Sequence, residues 1–307
     1  MADGQCPHLP SAAEFATGGR GVATKILHIS DLHFEAQPET LYPGVNQHLR
    51  VAAELLAAEH PDLIIVSGDL TSHGSRNRKE LEMARDWLLR LDAPVLAVPG
   101  NHDLGANPLR GQEYPETEAY EFLALRKTNY GSVFSPEPVT MHDLPTVAVI
   151  GIALREEDPD GALPRLESTL DSVTKPVILV GHYPLAPTRA TGPLATFAFH
   201  EFIPHTASRL RRVIASHPVV RLYAAGHVHA CTAQPLAPHC LQVTAGGLGP
   251  GPSLYRVYTI SGAQLHFETR FGTGPLGFWE QLVPEFDYAP EYHLGHHHER
   301  NGQQTLY

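Results

Sequence analysis

The feature that most constrains the fold is a series of short apolar runs, each of which ends in residues capable of chemistry. The first three are "KILHIS", which leads into Asp31 and His33, "DLIIVSGD" and "APVLAVPGNHD". Between them, "VNQHLRVAAELLAAEH" and "RKELEMARDWLLRL" place apolar residues at helical spacing. This alternation predicts βαβ units and a mostly parallel sheet. In such sheets, sites form at the carboxyl ends of the strands.

The second half of the chain contains three more runs of this kind and then further strand patterns. "TVAVIGIA", "KPVILVGHYP" and "VVRLYAAGHVHA" are predicted strands, and "HTASRLRRVIAS" is a predicted helix. "LQVTAGG", "LYRVYTI" and "AQLHFETRF" follow as strands that we expect to form a second sheet. The polar strand ends, from Asp31 to His229, are therefore expected to converge at one edge of the first sheet.

Three stretches lie outside this alternation. Residues 1–23 are small, polar and Gly-rich, and we expect a flexible leader without a signal-peptide core. Residues 105–137 are interpreted as an insertion with one helix near its middle, and residues 271–307 as a C-terminal extension. The main domain is therefore predicted to span residues 24–270. The insertion and the extension could cap a cleft and set the substrate, or they could form the interface of a homodimer.

Composition argues against several classes of function. The formal net charge of −11 argues against broad nucleic-acid binding, which needs a basic surface. A phosphate ester could still bind at a local positive centre, which a metal would supply. The chain has 20 His, the commonest transition-metal ligand. Its 3 Cys include no CxxC pair and no run of 18 apolar residues occurs, so we expect a reduced, cytoplasmic protein without a membrane span.

Each polar strand end has an ordinary structural explanation when it is taken alone. Asp31 could simply form a turn, "GNHD" could be a tight turn, and "HVH" could arise by chance in a chain with this much His. Taken together, five strand ends that each supply a carboxylate, an amide or an imidazole favour a metal site.

In chain order, the strand ends read Asp31-x-His33, Gly68-Asp69, Gly100-Asn101-His102-Asp103, Gly181-His182 and Gly226-His227-x-His229. This series resembles the pattern D-x-H, G-D, G-N-H-[D/E], H and G-H-x-H of the calcineurin-like metallophosphoesterases, and every block matches in order. The resemblance implies an α/β fold, namely a four-layer α/β/β/α sandwich with mixed sheets. It also implies a metal-dependent phosphoric ester hydrolase.

The resemblance further implies a site for two divalent or trivalent transition metal ions, with Mn, Fe or Zn as candidates. A mixed nitrogen and oxygen ligand set without thiolates suits these ions. The implied nucleophile is a hydroxide that bridges them. The implied ligands are Asp31, His33 and His229 for the first ion, Asn101, His182 and His227 for the second, and Asp69 as a bridge between both.

Four other polar residues are candidates for roles in catalysis or substrate binding. In the family, the residue that corresponds to His102 stabilises or protonates the leaving group. Asp103 could orient the His102 imidazole, or it could simply cap the turn. His73 and His200 are candidates for contact with the substrate, although a solvated loop would explain His73 equally well.

Residues outside the ligand set separate the branches of the family. In "GDLTSHG" the Arg of protein Ser/Thr phosphatases is missing, and Ser72 stands where purple acid phosphatases carry a Tyr ligand. The motifs look most like those of bacterial class III cyclic-nucleotide phosphodiesterases. The resemblance therefore favours hydrolysis of a phosphodiester in a small substrate, such as a cyclic nucleotide, a nucleotide or a headgroup diester. The alternatives are a phosphomonoesterase or pyrophosphatase and, with less support, a non-catalytic scaffold that binds a partner.

Overall fold

A computed structural model describes residues 23–105, 123–155, 157–188, 206–250, 252–272 and 293–307. Within these residues, the strands in chain order are β1 (Thr24–Ile29), β2 (Leu63–Ser67), β3 (Val95–Val98), β4 (Val139–Asp143), β5 (Ala148–Ile152), β6 (Val177–Val180), β7 (Val220–Ala225), β8 (Thr232–Ala237), β9 (Cys240–Thr244), β10 (Leu254–Ser261), β11 (Gln264–Phe271) and β12 (Asn301–Thr305). The α-helices are α1 (Val45–Ala58), α2 (Arg78–Leu89), α3 (Asn101–Leu104), α4 (Asn129–Val133), α5 (Ala162–Ser172), α6 (Ala207–Ser216) and α7 (His297–Arg300).

The strands form two six-stranded mixed sheets. The first sheet has the order β12-β11-β10-β1-β2-β3, and the second has the order β4-β5-β6-β7-β9-β8. In the first sheet, β1, β2 and β3 are parallel, whereas β10, β11 and β12 run antiparallel to their neighbours. In the second sheet, β5, β6, β7 and β9 are parallel and the two edge strands are antiparallel. Helices connect β1 to β2, β2 to β3, β5 to β6 and β6 to β7, in agreement with the alternation seen in the sequence, whereas β7 reaches its parallel neighbour β9 through β8.

The apolar side chains form three cores that separate four layers. Between the sheets, Ile65 and Val98 pack in the same cluster as Ile178 and Val180. On the outer face of the first sheet, a second cluster contains residues of α1 and α2 such as Leu49 and Leu88. On the outer face of the second sheet, a third cluster contains residues of α5 and α6. This helix–sheet–sheet–helix order is the predicted four-layer α/β/β/α sandwich.

The distribution of strands between the sheets differs from the expectation. The strand ends were expected to lie at the edge of one parallel sheet, but β1, β2 and β3 belong to the first sheet, and β6 and β7 to the second. The strands "LYRVYTI" and "AQLHFETRF" do not form a separate sheet, because β10 pairs with β1 and β11 pairs with β10. Apolar periodicity predicts that a strand exists, but its pairing depends on contacts distant in sequence.

The ends of the two proposed extra segments are also described. Residues 123–137 contain a short 3₁₀ helix (Leu125–Lys127) and α4, while the middle of the proposed insertion lies outside the described residues. Residues 293–307 contribute α7 and β12, and β12 extends the first sheet beside β11. None of the helices in the described part of the chain is long and apolar enough to cross a membrane.

Candidate metal centre

The turns after five strands bring the predicted ligands together at one end of the two sheets. Asp31 and His33 follow β1, Asp69 follows β2, and Asn101 begins α3 directly after β3. His182 follows β6, and both His227 and His229 follow β7. Six of these seven residues are buried, and His229 is partly exposed. The predicted set therefore converges, but at the joint end of two sheets and not at the edge of one.

Much of the unusual backbone geometry of the chain is concentrated in these turns. Positive φ angles occur at Asp31 (51°), His33 (51°), Asp69 (48°), His227 (71°) and His229 (48°). For residues with a Cβ, this left-handed region costs on the order of 1–2 kcal/mol each. Hydrogen bonds between the turns hold this geometry, since the Asp31 amide donates to the Gly68 carbonyl and the His33 amide to the Asp69 carbonyl, both at 3.0 Å. Such strain is typical of functional sites.

The first group of potential ligands consists of Asp31, His33 and His229, and we call it the first subsite. One ligand atom from each residue lies within 4.8 Å of the others. The Nε2 atoms of His33 and His229 are 3.2 Å apart, and His229 Nε2 is 3.5 Å from Asp31 Oδ1. Two imidazole nitrogens and a carboxylate oxygen thus point toward a common position.

The second group consists of Asn101, His182 and His227, and we call it the second subsite. His182 Nε2 lies 3.0 Å from Asn101 Oδ1 and 3.1 Å from His227 Nδ1. The other ring nitrogen of His182 donates to the Ser67 carbonyl at 2.8 Å. That contact fixes the ring orientation and leaves Nε2 toward the other ligand atoms, as is usual for a metal-binding His.

Asp69 lies between the two subsites. Its Oδ2 is 3.8 Å from Nε2 of His33 and 3.3 Å from Nε2 of His182. Its Oδ1 accepts a hydrogen bond of 2.9 Å from the His102 amide, which fixes the carboxylate. One carboxylate oxygen therefore contacts imidazoles of both groups.

The electrostatics of the cluster suit metal binding. Burial and the neighbouring His102 lower the pKa of His33, and burial and His182 lower that of His227, both well below the usual value. Burial raises the pKa of the Asp69 carboxyl, but His182 and His102 outweigh it and hold this pKa well below its usual range. Burial lowers the pKa of His182, but the Asp69 carboxylate, with smaller contributions from other polar neighbours, raises it by a larger amount, so the pKa is about 9. The ionised Asp69 and the neutral His33 and His227 are thus in the forms that bind a transition metal, whereas His182 would release a proton when an ion binds.

Two glycines permit the close approach of these turns. Gly68 has a φ of 94°, and a Cβ at this position would overlap the His182 ring. A Cβ at Gly226 would overlap the side chain of Ser30 and approach the Asp31 carboxylate. Gly68 is therefore needed because a ligand ring passes against its backbone, and Gly226 because the side chains of Ser30 and Asp31 do so.

His102 is half-buried beside the first subsite. Its ring centroid is 4.9 Å from that of His33, and its Nδ1 donates to the Ser72 carbonyl at 2.9 Å. One atom of His102 also lies within 4.8 Å of ligand atoms of His33 and Asp69. Because Nδ1 carries the proton, Nε2 is the nitrogen available for proton exchange.

Of the two roles left open for Asp103, its contacts are those of a turn cap. The fully buried Asp103 carboxylate accepts hydrogen bonds from the amides of Gly100, Leu70 and Thr71, at 2.9, 3.0 and 3.0 Å, and from the Thr71 hydroxyl at 2.7 Å. It caps its own turn and joins it to the turn that carries Asp69. A sequence pattern cannot distinguish a capping Asp from one that orients a neighbouring His, because both follow the His directly.

The two predicted substrate contacts differ in what the structure says of them. His73 lies with its ring 3.6 Å from the buried Glu35 carboxylate, and its side chain is 39% exposed. Contact with a substrate therefore stays a prediction for this residue. His200 lies outside the described residues.

Two tyrosines beside the subsites were not predicted. The Tyr42 ring is 4.6 Å from the His33 ring and 6.0 Å from that of His229. The Tyr183 ring is 5.1 Å from the His182 ring and 4.9 Å from that of His227. Tyr183 directly follows a predicted ligand, which is a usable signal. Tyr42 lies in the loop between β1 and α1, and nothing in its local sequence indicates the contact.

Comparisons with known proteins identify relatives by sequence and by fold. The chain is 27% identical over 223 residues to a probable cyclic nucleotide phosphodiesterase from Synechococcus sp., which covers 69% of this chain and 75% of that protein. It is 38% identical over 82 residues to a glycerophosphodiester phosphodiesterase from Enterobacter lignolyticus, which covers 25% of this chain and 29% of that protein. A dimetal phosphatase from Danio rerio has the same fold, with a TM-score of 0.55 and 16% identity, and the match covers 81% of this chain and 96% of that one.

The match to a protein family covers most of the chain and every predicted ligand. The profile of the calcineurin-like phosphoesterases matches residues 24–231, which extend from the start of β1 to the turn after β7. The sequence relatives are named as a probable cyclic nucleotide phosphodiesterase and a glycerophosphodiester phosphodiesterase, and the buried Asp and His clusters could hold a metal. The chain therefore belongs to the calcineurin-like phosphoesterase family and is a metal-dependent phosphoric ester hydrolase.

Proposed function

We propose that the protein hydrolyses a phosphodiester of a small substrate at a centre of two metal ions. Candidate substrates are a cyclic nucleotide, a nucleotide diester and a headgroup diester. The observation that carries the dinuclear proposal is the position of Asp69, whose Oδ2 contacts imidazoles of both subsites. A carboxylate placed between two groups of nitrogen and oxygen donors can bridge a pair of cations.

The residues fit two divalent or trivalent transition ions, with Mn, Fe or Zn as candidates. The first subsite would hold one ion through Asp31, His33 and His229, and the second would hold the other through Asn101, His182 and His227. No described Cys belongs to the clusters, and the nitrogen and oxygen donors suit these metals. When bound, the ions would lower the pKa of a coordinated water and offset charge on the phosphoryl oxygens.

The other residues of the site act on the leaving group and on the shape of the cleft. His102 is proposed to act as an imidazolium, which gives the departing alkoxide its Nε2 proton and keeps its Nδ1–H on the Ser72 carbonyl. Asp103 is proposed to act indirectly, since its hydrogen bonds hold the turns of Asp69 and Asn101. Tyr42 and Tyr183 border the subsites and are proposed to limit the width of the cleft.

Preference for a diester is supported by the relatives with sequence similarity. They are named as a probable cyclic nucleotide phosphodiesterase and a glycerophosphodiester phosphodiesterase. The similarity to the second protein covers only 29% of its length, so its substrate is one candidate among the three.

The test is a comparison of two aryl phosphates. Protein stripped of metal and reloaded with Mn should hydrolyse bis-p-nitrophenyl phosphate faster than p-nitrophenyl phosphate. Faster turnover of the monoester would favour a phosphomonoesterase or pyrophosphatase instead. If neither ester is hydrolysed by protein that carries two ions, both catalytic proposals fail for such substrates, and a scaffold role gains support.

A matched pair of variants tests the role of Asp69. Asp69→Asn should lose at least about a hundredfold in turnover because both ions lose a charged ligand. Asp143→Asn, at an exposed carboxylate on β4, is the control and should keep normal turnover. Near-normal turnover of Asp69→Asn with both ions bound would disprove the bridging role.

A further inference from the structure

The C-terminal segment, residues 293–307, reaches the metal centre from outside the part of the chain that matches the family profile, residues 24–231. Its first described residue, His293, is only 4% exposed. The Nδ1 of His293 donates to the His229 carbonyl at 2.7 Å. In the opposite direction, the Cys231 amide donates to the His293 carbonyl at 2.7 Å. The two hydrogen bonds attach His293 to the turn that carries His229, one to each side of Ala230.

This turn needs external support because its backbone is strained. His229 has a φ of 48°, a conformation that a residue with a Cβ adopts only when its surroundings enforce it. Other contacts hold the neighbours of His229. The His227 amide donates to both oxygens of the Asp31 carboxylate at 3.1 Å, and the Thr244 hydroxyl donates to the Ala230 carbonyl at 2.5 Å. The carbonyl of His229 itself is held by His293.

The segment is firmly attached, so it can support a strained turn. β12 pairs with β11 from Glu268↔Asn301 to Gln264↔Thr305. The fully buried guanidinium of Arg256 donates to the Glu299 carbonyl and also to the carbonyls of Thr232 and Thr244, both at 2.9 Å. Arg256 thus links α7 to the two strands that follow the His229 turn, β8 and β9.

We propose that His293 is a positioning residue for the metal ligand His229, and that the C-terminal segment is a working part of the first subsite. The hydrogen bond from Nδ1 of His293 to the His229 carbonyl keeps the strained peptide in the orientation that points the imidazole at Asp31 and His33. The hydrogen bond from His293 reaches a ligand of the first subsite, so we expect this subsite to depend on the segment more than the second subsite does. This inference rests on the proposed two-metal centre.

The test measures metal affinity by calorimetric titration of metal-free protein with Mn²⁺. His293→Leu removes the donor, and we expect one of the two ions to bind about tenfold more weakly, the lower end of the usual effect of outer partners. The other ion should keep its affinity to within about twofold. His293→Asn places an amide N–H near the position of Nδ1 and should restore most of the lost affinity.

Two further variants separate positioning from general stability. His298→Leu, on an exposed position of α7, is the control and should bind both ions as the wild type does. His293→Gln moves the donor outward and should lose metal affinity as His293→Leu does. If the Leu variant does not fold, the comparison of the Asn and Gln variants still tests the positioning role. Thermal unfolding of each metal-free variant measures the stability cost separately.

The outcomes are distinct. Equal affinities of wild type and His293→Leu, or equal losses in the Asn and Gln variants, would overturn the inference, as would equal weakening of both ions. Wild-type protein that binds fewer than two ions would instead refute the proposed dinuclear centre. The two failures are therefore distinguishable in one experiment.

Discussion

At the scale of single residues, the site consists of potential metal ligands and of side chains that position these ligands. The potential ligands could be named from the sequence because the polar strand ends match, block by block, the pattern of the calcineurin-like metallophosphoesterases. The residues that support these ligands could not be named from the sequence. Asp103 accepts three hydrogen bonds from a neighbouring turn and one from its own, and Tyr42 reaches His33 from a loop whose sequence carries no signal. Their roles depend on which turns meet in space, and local spacing does not specify that.

His102→Ala should keep both ions and lose rate in a way that depends on the leaving group. Proton donation is worth about 10²–10⁴-fold for a poor leaving group and much less for p-nitrophenolate, which leaves without a proton. We expect a far larger loss of kcat with an alkyl diester than with bis-p-nitrophenyl phosphate. Metal content is measured alongside. Equal losses on both substrates, or loss of an ion, would make His102 structural or a ligand.

Asp103→Asn should destabilise the protein by about 3 kcal/mol, because an amide would present its own N–H groups to buried donors. Urea unfolding measures the free energy of unfolding, and Asp143→Asn is again the exposed control. The variant should also bind metal more weakly, since the turns of Asp69 and Asn101 would separate. A change below about 0.5 kcal/mol would mean that the capping hydrogen bonds contribute little.

At the scale of elements, the strands and helices were more predictable than their pairing. The apolar runs at β1, β2, β3, β6 and β7 are strands, as predicted. β12 was not predicted, because "NGQQT" has no apolar alternation and becomes a strand only by pairing with β11. For the same reason, the assignment of β10 and β11 to the first sheet depends on register with β1, which periodicity does not encode.

The turn after β2 provides a test at this scale. Gly68→Ala combines a φ of 94° with overlap against the His182 ring, so it should cost more than backbone strain alone and should weaken the second subsite. Gly262→Ala is a matched control, because its φ is 55° but no atom lies within 4 Å of the added Cβ. We expect about 1 kcal/mol for Gly262→Ala and at least about 3 kcal/mol for Gly68→Ala, measured by urea unfolding. Equal losses of unfolding free energy in the two variants would show that the His182 ring can move away from the added Cβ at no cost.

At the scale of the whole molecule, each subsite takes ligands from both sheets. The first combines Asp31 and His33, which follow β1, with His229, which follows β7. The second combines Asn101, which follows β3, with His182 and His227. Metal binding should therefore stabilise the packing of the two sheets against each other, because ions that bind only the folded state shift the unfolding equilibrium.

A buried His in the layer between the sheets, His28, should make the stability of the protein depend on pH. His28 is fully buried between the Tyr258 and Ser67 hydroxyls, at 2.7 and 2.8 Å, and burial and Arg256 lower its pKa to about 3. The unfolded chain takes up this proton near pH 6.5, whereas the folded protein does not. Stability should therefore fall as the pH drops below 6.5, by about 1.4 kcal/mol per pH unit from this group, with no contribution above that pH.

The contribution of His28 is isolated by difference. Urea unfolding of wild type and His28→Gln at pH 7.5, 5.5 and 4.5 cancels the other titrating groups, because both proteins share them. Between pH 5.5 and 4.5 the wild type should lose about 1.4 kcal/mol more than the variant. If the unfolding free energies of the two proteins changed equally with pH, His28 would not be a neutral buried imidazole in the folded protein.

The most direct test of the central claim is anomalous X-ray scattering from crystals of the Mn-loaded protein. The account predicts two peaks per chain, roughly 3.5–4 Å apart, with the Asp69 carboxylate between them. One peak should be bound by Asp31, His33 and His229, and the other by Asn101, His182 and His227. A single peak, or two peaks that do not share Asp69, would contradict it.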